Sequence, residues 1–308
     1  MKLITITLNP AIDVTLLSDG LHADKANHVV GELREAGGKG VNVSRVAKKF
    51  STDGTAFALL GDKNQSEYLE LLSDSVQQFD FVSVDGRTRE NLTIRAQNEC
   101  VKFNRMGFVA NQSELNTLLE KIKSTLKSGD LVAVSGSIPT GLNSNMLCEF
   151  CLGIKSAGGK VMLDTESVSL DEIKSIKPYA IKPNHHEFAH LYGKSEMSDA
   201  ETARKMQELY DCGVENILLT LGEKGMTAIV GGVLYHADGV SVEAKSTVCA
   251  GDSTLAGFAI AKIRNLPDDE CIRLASACGT ATVLCEGSGV CSETSAQTIA
   301  KNITVNRI

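Results

Sequence analysis

Short apolar runs alternate with longer amphipathic stretches along this chain, and that rhythm limits its fold more than any other feature. Residues 3–8, 56–60, 131–135, 161–164, 180–182, 217–220 and 226–230 read as buried strands. Residues 40–50, 113–127, 145–157, 199–212, 253–264 and 267–284 carry helical spacing between and after them. Strands that alternate with helices of this length need crossover connections. They therefore predict an α/β fold: a central, mostly parallel sheet flanked by helices on both faces.

Two stretches, 13–36 and 81–109, break the rhythm. Their apolar residues alternate over short runs (14–17, 28–30, 81–84, 92–94 and 99–103), without the helices that a central strand requires. They predict a small second sheet, discontinuous in sequence, that covers a site at the carboxyl ends of the main strands as a lid. The expectation is one domain over 1–308 with this lid attached. An open lid sheet also has unpaired edges, which a second copy of the chain could cover in a homodimer.

Composition excludes several classes of partner. The chain has 308 residues and a formal net charge of -7. That balance argues against a nucleic-acid or anionic-membrane surface, both of which need basic patches. No run approaches the roughly eighteen apolar residues of a spanning helix, and the first residues lack the apolar core of a signal peptide. A cytoplasmic location follows as the expectation. Nine cysteines are odd in number and too sparse for a disulfide scaffold; Cys148 and Cys151 fall in an apolar helical pattern as buried thiols.

Most residues with chemical potential follow a predicted strand. In 247–258, Ala250 and Gly251 form a small-residue turn that leads into Asp252 and an apolar helix. The free N–H groups and positive end of such a helix attract an anion. A carboxylate there competes with a simple anion site. It suits a site where the carboxylate takes a proton while the N–H groups hold a transferring phosphoryl group. The plainer alternative makes Asp252 an N-cap.

Other segments carry the same ambiguity. Asp13 after the first strand is placed to accept hydrogen bonds from sugar hydroxyls, or is a turn acid. Gly37, Gly38, Lys39 and Gly40 open a helix that contains Asn42, a phosphate or hydroxyl site but not a P-loop. Arg89 suits a substrate phosphate or is a solvated hairpin charge. Asn184 and Glu187, three apart, suit a hydrated Mg²⁺, or form a helix cap. Thr220 through Gly225 (Leu221, Gly222, Glu223 and Lys224 between) offers a hydroxyl and glycine N–H groups to a nucleotide phosphate, or is a turn between strands. His186, Glu187 and His190 match the H-E-x-x-H zinc pattern, but Glu196 stands where a third histidine would extend it, and the segment follows a parallel-type strand. A solvated helix face accounts for them better than a peptidase centre.

Read together, these segments resemble the PfkB (ribokinase-like) family of carbohydrate kinases, and within it the branch of 1-phosphofructokinases and tagatose-6-phosphate kinases. The resemblance rests on Thr7 to Asp13, Gly37 to Asn42, Thr88 to Asn91, Ser135 to Pro139, Leu163 to Thr165, Lys182 to Asn184 with Glu187, Thr220 to Gly222 with Gly225, and Thr247 to Phe258. It implies a ribokinase-like fold and an ATP- and Mg²⁺-dependent kinase of a sugar phosphate. D-Fructose 1-phosphate is the first candidate substrate and tagatose 6-phosphate the second; a non-catalytic sugar- or nucleotide-binding regulator on the same scaffold is the remote alternative. By the resemblance Asp252 is the general base, and Ala250 and Gly251 form the anion hole. Asp13, Gly38, Lys39, Asn42 and Arg89 hold the sugar phosphate. Lys182, Asn184, Thr220 through Gly225, Gly251 and Asp252 line the ATP site, and Asn184 and Glu187 organise Mg²⁺. The chain departs from the branch at His28, where an arginine is usual, at Glu166 and Ser167, at Arg105 and Met106, and at Cys249, where glycine or serine is frequent. Cys249 is either an oxidation-sensitive thiol or an inert buried one.

Overall fold

The computed structural model describes residues 1–96 and 99–308. Fourteen strands are described: β1 (Leu3–Thr7), β2 (Ala11–Ser18), β3 (Val29–Gly37), β4 (Gly54–Gly61), β5 (Phe79–Val84), β6 (Arg89–Ala96), β7 (Glu99–Asn104), β8 (Leu131–Ser135), β9 (Lys160–Asp164), β10 (Ala180–Ile181), β11 (Ile217–Thr220), β12 (Gly225–Val230), β13 (Val233–Asp238) and β14 (Val305–Arg307). The helices are α1 (Lys39–Lys49), α2 (Gln65–Leu72), α3 (Gln112–Thr125), α4 (Ser144–Ser156), α5 (Leu170–Ile176), α6 (His185–Leu191), α7 (Asp199–Asp211), α8 (Ala250–Ile263), α9 (Asp268–Val283) and α10 (Glu293–Ala300).

The main sheet runs β14-β13-β12-β11-β10-β9-β8-β1-β4-β5. It is parallel from β11 to β5 and antiparallel at the β12–β14 end. Strand alternation divides its side chains between two cores. Leu3, Leu131, Ala133, Met162 and Leu218 face α1, α8, α9 and α10. Ile4, Ile6, Val132, Val134, Leu163 and Ile217 face α3 to α7. In β1 the first of these faces continues as Thr5 and Thr7, which bind the incoming helix. Thr5 Oγ1 lies 2.8 Å from Ser44 Oγ, and Thr7 Oγ1 accepts the N–H of Val41 at 3.1 Å. All seven predicted strands and all six predicted helices are present within a few residues, and α6 follows the helix cap read at Asn184; β13, β14, α2, α5 and α10 carry no such signal in the sequence reading.

The second sheet has the order β3-β2-β6-β7 and rises from the carboxyl edge of the main one. β2 and β3 form a hairpin between β1 and α1; β6 and β7 form another after β5. The two hairpins join through parallel pairing of β2 with β6, which sets Asp13 beside Asn91. One face of the lid root packs through Ile12, Val14 and Ala36 on Leu60, Tyr68 and Leu72. The run at 81–84, expected in the lid, is instead the edge of the main sheet, where Phe81 and Val82 pair with Ala58 and Leu59. Phe108, near the other end of the expected segment, is core. Alternating burial is common to any half-covered edge strand, so periodicity alone assigned 81–84 to the wrong sheet. No helix among the described residues is long and apolar enough to cross a membrane.

The first turn of α1 sits directly on β1. A Cβ at Gly40 would lie 2.6 Å from the Ile6 carbonyl oxygen. Gly40→Ala must push the helix off the strand, and with it Lys39 and Asn42. We expect a loss of about 1–3 kcal/mol in denaturant melts.

Candidate active site

The site begins with the start of α8. Cys249, the residue before the helix, has φ 62° and ψ 0° in the left-handed region, so the chain turns there rather than at Ala250 and Gly251. Ala250, Gly251 and Asp252 are therefore the first three helical residues. The first intrahelical bond runs from Ser253 N–H to the Cys249 carbonyl at 2.9 Å, which leaves the three preceding N–H groups without an intrahelical acceptor. The N-cap position is Cys249 and Asp252 is the third residue of the helix, so the plainer reading of Asp252 as N-cap fails. A left-handed conformation at a non-glycine residue costs roughly 1–2 kcal/mol. Cys249 is held in it by a contact of Sγ with the Ser288 carbonyl at 3.6 Å, and burial pushes its thiol well above the usual range. Of the two readings of this cysteine, the inert buried thiol is the one the structure favours.

Asp252 is only 5% exposed. Burial, and then the nearby charge of Asp164, raise its pKa to about 6. Asn42 Nδ2 donates to Asp252 Oδ2 at 2.8 Å; this bond and the charges of Lys39 and Lys182 pull the other way. Asp164 ends β9 and is as deeply buried. Its Oδ1 receives Lys39 Nζ at 3.4 Å and Lys182 Nζ at 3.3 Å, while Oδ2 is buried without a partner. A Cβ at Gly251 would lie 3.1 Å from Lys182 Nζ, so that ammonium group hangs over the first turn of α8. Lys39 is pulled down by burial, but Asp164, Asp252 and Glu187 more than offset this and raise its pKa.

A second cluster lies at the lid root. Asn91 Nδ2 donates to Asp13 Oδ1 at 2.8 Å; burial raises the Asp13 pKa, and Asn91 and Arg89 oppose it. Gly37 packs against Asp13 so closely that no side chain fits. Gly38, at φ 135°, gives way to Thr7 in the same manner. Arg89 Nη2 donates to the Asn9 carbonyl at 3.3 Å. Its Nε, Asn9 Oδ1, Asn91 Oδ1 and Ser135 Oγ are buried polar atoms without partners. Unsatisfied groups gathered at the carboxyl edge of a sheet are what a polar ligand would satisfy.

Asn184 caps α6: its Oδ1 accepts from the N–H groups of His186 and Glu187, and Glu187 Oε2 accepts from the Asn184 N–H. Both lone pairs of the Asn184 oxygen are thereby used within the helix. Thr220 bridges to Asn184, which places the 220–225 turn beside this cap, with Gly222, Glu223 and Lys224 exposed. His186 and His190 are exposed on α6, and no group of three or more potential metal-binding side chains occurs among the described residues. The zinc pattern is therefore a helix face. His28 is exposed before β3.

The structure thus brings Asp252, Gly251, Ala250, Lys39, Asn42 and Lys182 together, with Asp13, Gly38 and Arg89 at the lid root. Asp164 and Asn91 were each within a recognised motif but had no role assigned. Only the folded arrangement puts Lys39 and Lys182, 143 positions apart in sequence, on one carboxylate.

The sequence profile of the pfkB family carbohydrate kinases matches residues 4–295. The chain belongs to this family. It is an ATP-dependent sugar kinase. A 1-phosphofructokinase from Bacillus subtilis (strain 168) is 28% identical over 99% of both chains. Phosphofructokinase-2 from Escherichia coli, solved in complex with substrates and products, is 25% identical and superposes with a TM-score of 0.90, covering 98% of this chain and 99% of that one. Arabidopsis thaliana ribokinase, complexed with ribose and ATP, is 19% identical with a TM-score of 0.77 over 97% and 98% of the two chains and shares the fold.

Asp164→Asn would release two ammonium groups and remove the anion that raises Asp252. We expect the KM for ATP to rise about tenfold or more, since charge-assisted contacts of this kind are strong. The acidic limb of kcat/KM should move to lower pH, which a rate–pH profile measures.

Proposed function

We propose that this kinase phosphorylates a sugar phosphate, D-fructose 1-phosphate before others, to give D-fructose 1,6-bisphosphate, with Asp252 as the general base. The observation that carries this reading is a buried carboxylate on the first turn of α8, beside three helix N–H groups and two lysines. A lone anion site would not place a carboxylate there. A phosphoryl-transfer site needs both a proton acceptor and fixed positive charge.

In this reading ionised Asp252 accepts the proton of the sugar alcohol as its oxygen bonds to the γ-phosphorus of ATP and the bridging P–O bond breaks, releasing ADP. The N–H groups of Ala250, Gly251 and Asp252, with Lys182, meet the charge on the moving phosphoryl group. Asp13, Asn42 and the glycine approach at Gly38 hold the sugar hydroxyls. Arg89, with a buried unpaired Nε, takes the phosphate already on the sugar, and Lys39 stands between the two anions. The 220–225 turn and Lys182 cradle the nucleotide phosphates.

The donor set fits Mg²⁺, which keeps several waters and takes one or two carboxylates. Asp164 Oδ2 is a buried acceptor without a partner, and Glu187 stands close enough to act on Lys39. Asn184 supports the metal site only by capping the helix that carries Glu187. A Mg²⁺ held there would withdraw charge from the nucleotide phosphates.

The lid also suits a second copy of the chain. Leu17, Val30, Leu33 and Phe103 are about half exposed or more, and β3 and β7 are open edges. Leu33→Glu should turn a dimer into a monomer in light scattering; an unchanged mass would refute the lid interface.

A coupled ADP-release assay over a panel of phosphorylated hexoses tests the substrate, with D-fructose 1-phosphate and tagatose 6-phosphate side by side. No stimulation by any sugar would favour the binding-only regulator. Asp252→Asn should keep ATP and sugar binding and lose on the order of 10²–10⁴ in turnover. In the unmodified protein, a base active only when ionised should make kcat/KM fall below about pH 6.

A further inference from the structure

Arg45 lies one helical turn beyond Asn42 on α1 and, of the groups assigned to sugar or nucleotide, is hydrogen-bonded to Asn42. Its Nη1 donates to Asn42 Oδ1 at 3.3 Å, and its Nη2 donates to the carbonyl of Ala36, at the end of β3, at 2.5 Å. A guanidinium has donors and no acceptor. An amide facing it must therefore present its oxygen. The other end of the Asn42 amide, the NH₂ group, is then fixed toward Asp252 Oδ2. Ionised carboxylate only accepts, so the two ends of Asn42 have one consistent arrangement while Arg45 is in place. Without Arg45, the amide is free to turn over and accept a hydrogen bond from protonated Asp252, which favours the neutral form.

We propose that Arg45 is a positioning residue for the reaction: acting through Asn42, it fixes the amide that keeps Asp252 oriented and ionised. The chain of contacts runs from the lid strand β3 through α1 to the first turn of α8. It ties the ionisation of the base to the closure point of the lid hairpin. Other charged or titratable groups near the guanidinium are Asp13 on β2, Tyr68 on α2 and Cys249 before α8; Glu35 on β3 acts on the same Asp13 and Cys249. Those facing Asp252 are Asp164 from β9, Lys182 after β10 and Lys39 on α1. Arg45 is not among the largest direct influences on Asp252, so its effect passes through the amide.

This inference rests on the reading of Asp252 as base. Rate–pH profiles with ATP and the best sugar substrate, for the unmodified enzyme, Arg45→Met, Asn42→Ala and the double variant, test it. Loss of a hydrogen bond to the ionised form raises a carboxyl pKa. The acidic limb of kcat/KM in Arg45→Met should therefore move up by about one pH unit. In the Asn42→Ala background, removing Arg45 should move the limb no further. Arg45→Gln, which can still donate to Asn42 but carries no charge, should keep the limb near its original place, and serves as the readout if Arg45→Met does not fold. An unmoved limb in Arg45→Met, an additive shift in the double variant, or a limb in Arg45→Gln displaced as far as the charge loss alone would move it overturns the role of Arg45. No acidic limb in the unmodified enzyme, or full turnover in Asp252→Asn, would instead remove the base reading itself.

Discussion

Two carboxylates lie buried beside one another at the edge of the sheet, and the other polar groups of the candidate site are arranged around them. Asp164 and Asp252 are each at most 5% exposed, and the charge of Asp164 raises the electrostatic cost of ionising Asp252. The structure handles them differently. Asp164 receives two ammonium groups on one oxygen; Asp252 receives a neutral amide and the start of a helix. The first is therefore a fixed anchor for cations, and the second a group near its titration point. Neighbouring acids separated in this way by their surroundings are a common route to assigning distinct roles.

The fold brings these groups together by one device used repeatedly. Parallel strands end at the same edge, so the residue following each strand enters one cleft. Asn9 follows β1, Ser135 ends β8, Asp164 ends β9, Lys182 follows β10 and Thr220 ends β11. The helices α1 and α8, which share the core on the first face of the sheet, bring Lys39, Asn42 and Asp252 to that edge from above. The lid hairpins leave from the same edge, after β1 and β5, which puts Asp13 and Arg89 over it. Their parallel pairing through β2 and β6 lets Asn91 hold Asp13 from a neighbouring strand.

Strands with buried faces and helices with one apolar stripe were legible because periodicity is local. So were the residues at strand ends, since a polar group after an apolar run is visible without knowing its neighbours. Two readings failed for the same reason. The alternation at 81–84 fits either sheet, and only its pairing with β4 decides between them. The small residues Ala250 and Gly251 mark a turn before Asp252 in sequence, whereas a cysteine in a left-handed conformation leaves no mark in composition; its side chain contacts Ser288, which lies 39 residues further on. At Asn184 two readings stood equal, and the folded hydrogen bonds are those of the cap.

What the sequence determined by itself was the alternating framework, the acid beside a helix start, and the order of motifs that marks the family. Each depends on spacing within one stretch of chain. What tertiary structure decided was which charges meet. The pairing of Lys39 and Lys182 on Asp164, the amide of Asn42 against Asp252 and the grip of Arg45 on that amide join α1, β9, β10 and α8. A pKa or an orientation depends on distance and burial rather than on order along the chain, so these were not fixed until the sheet had closed around them.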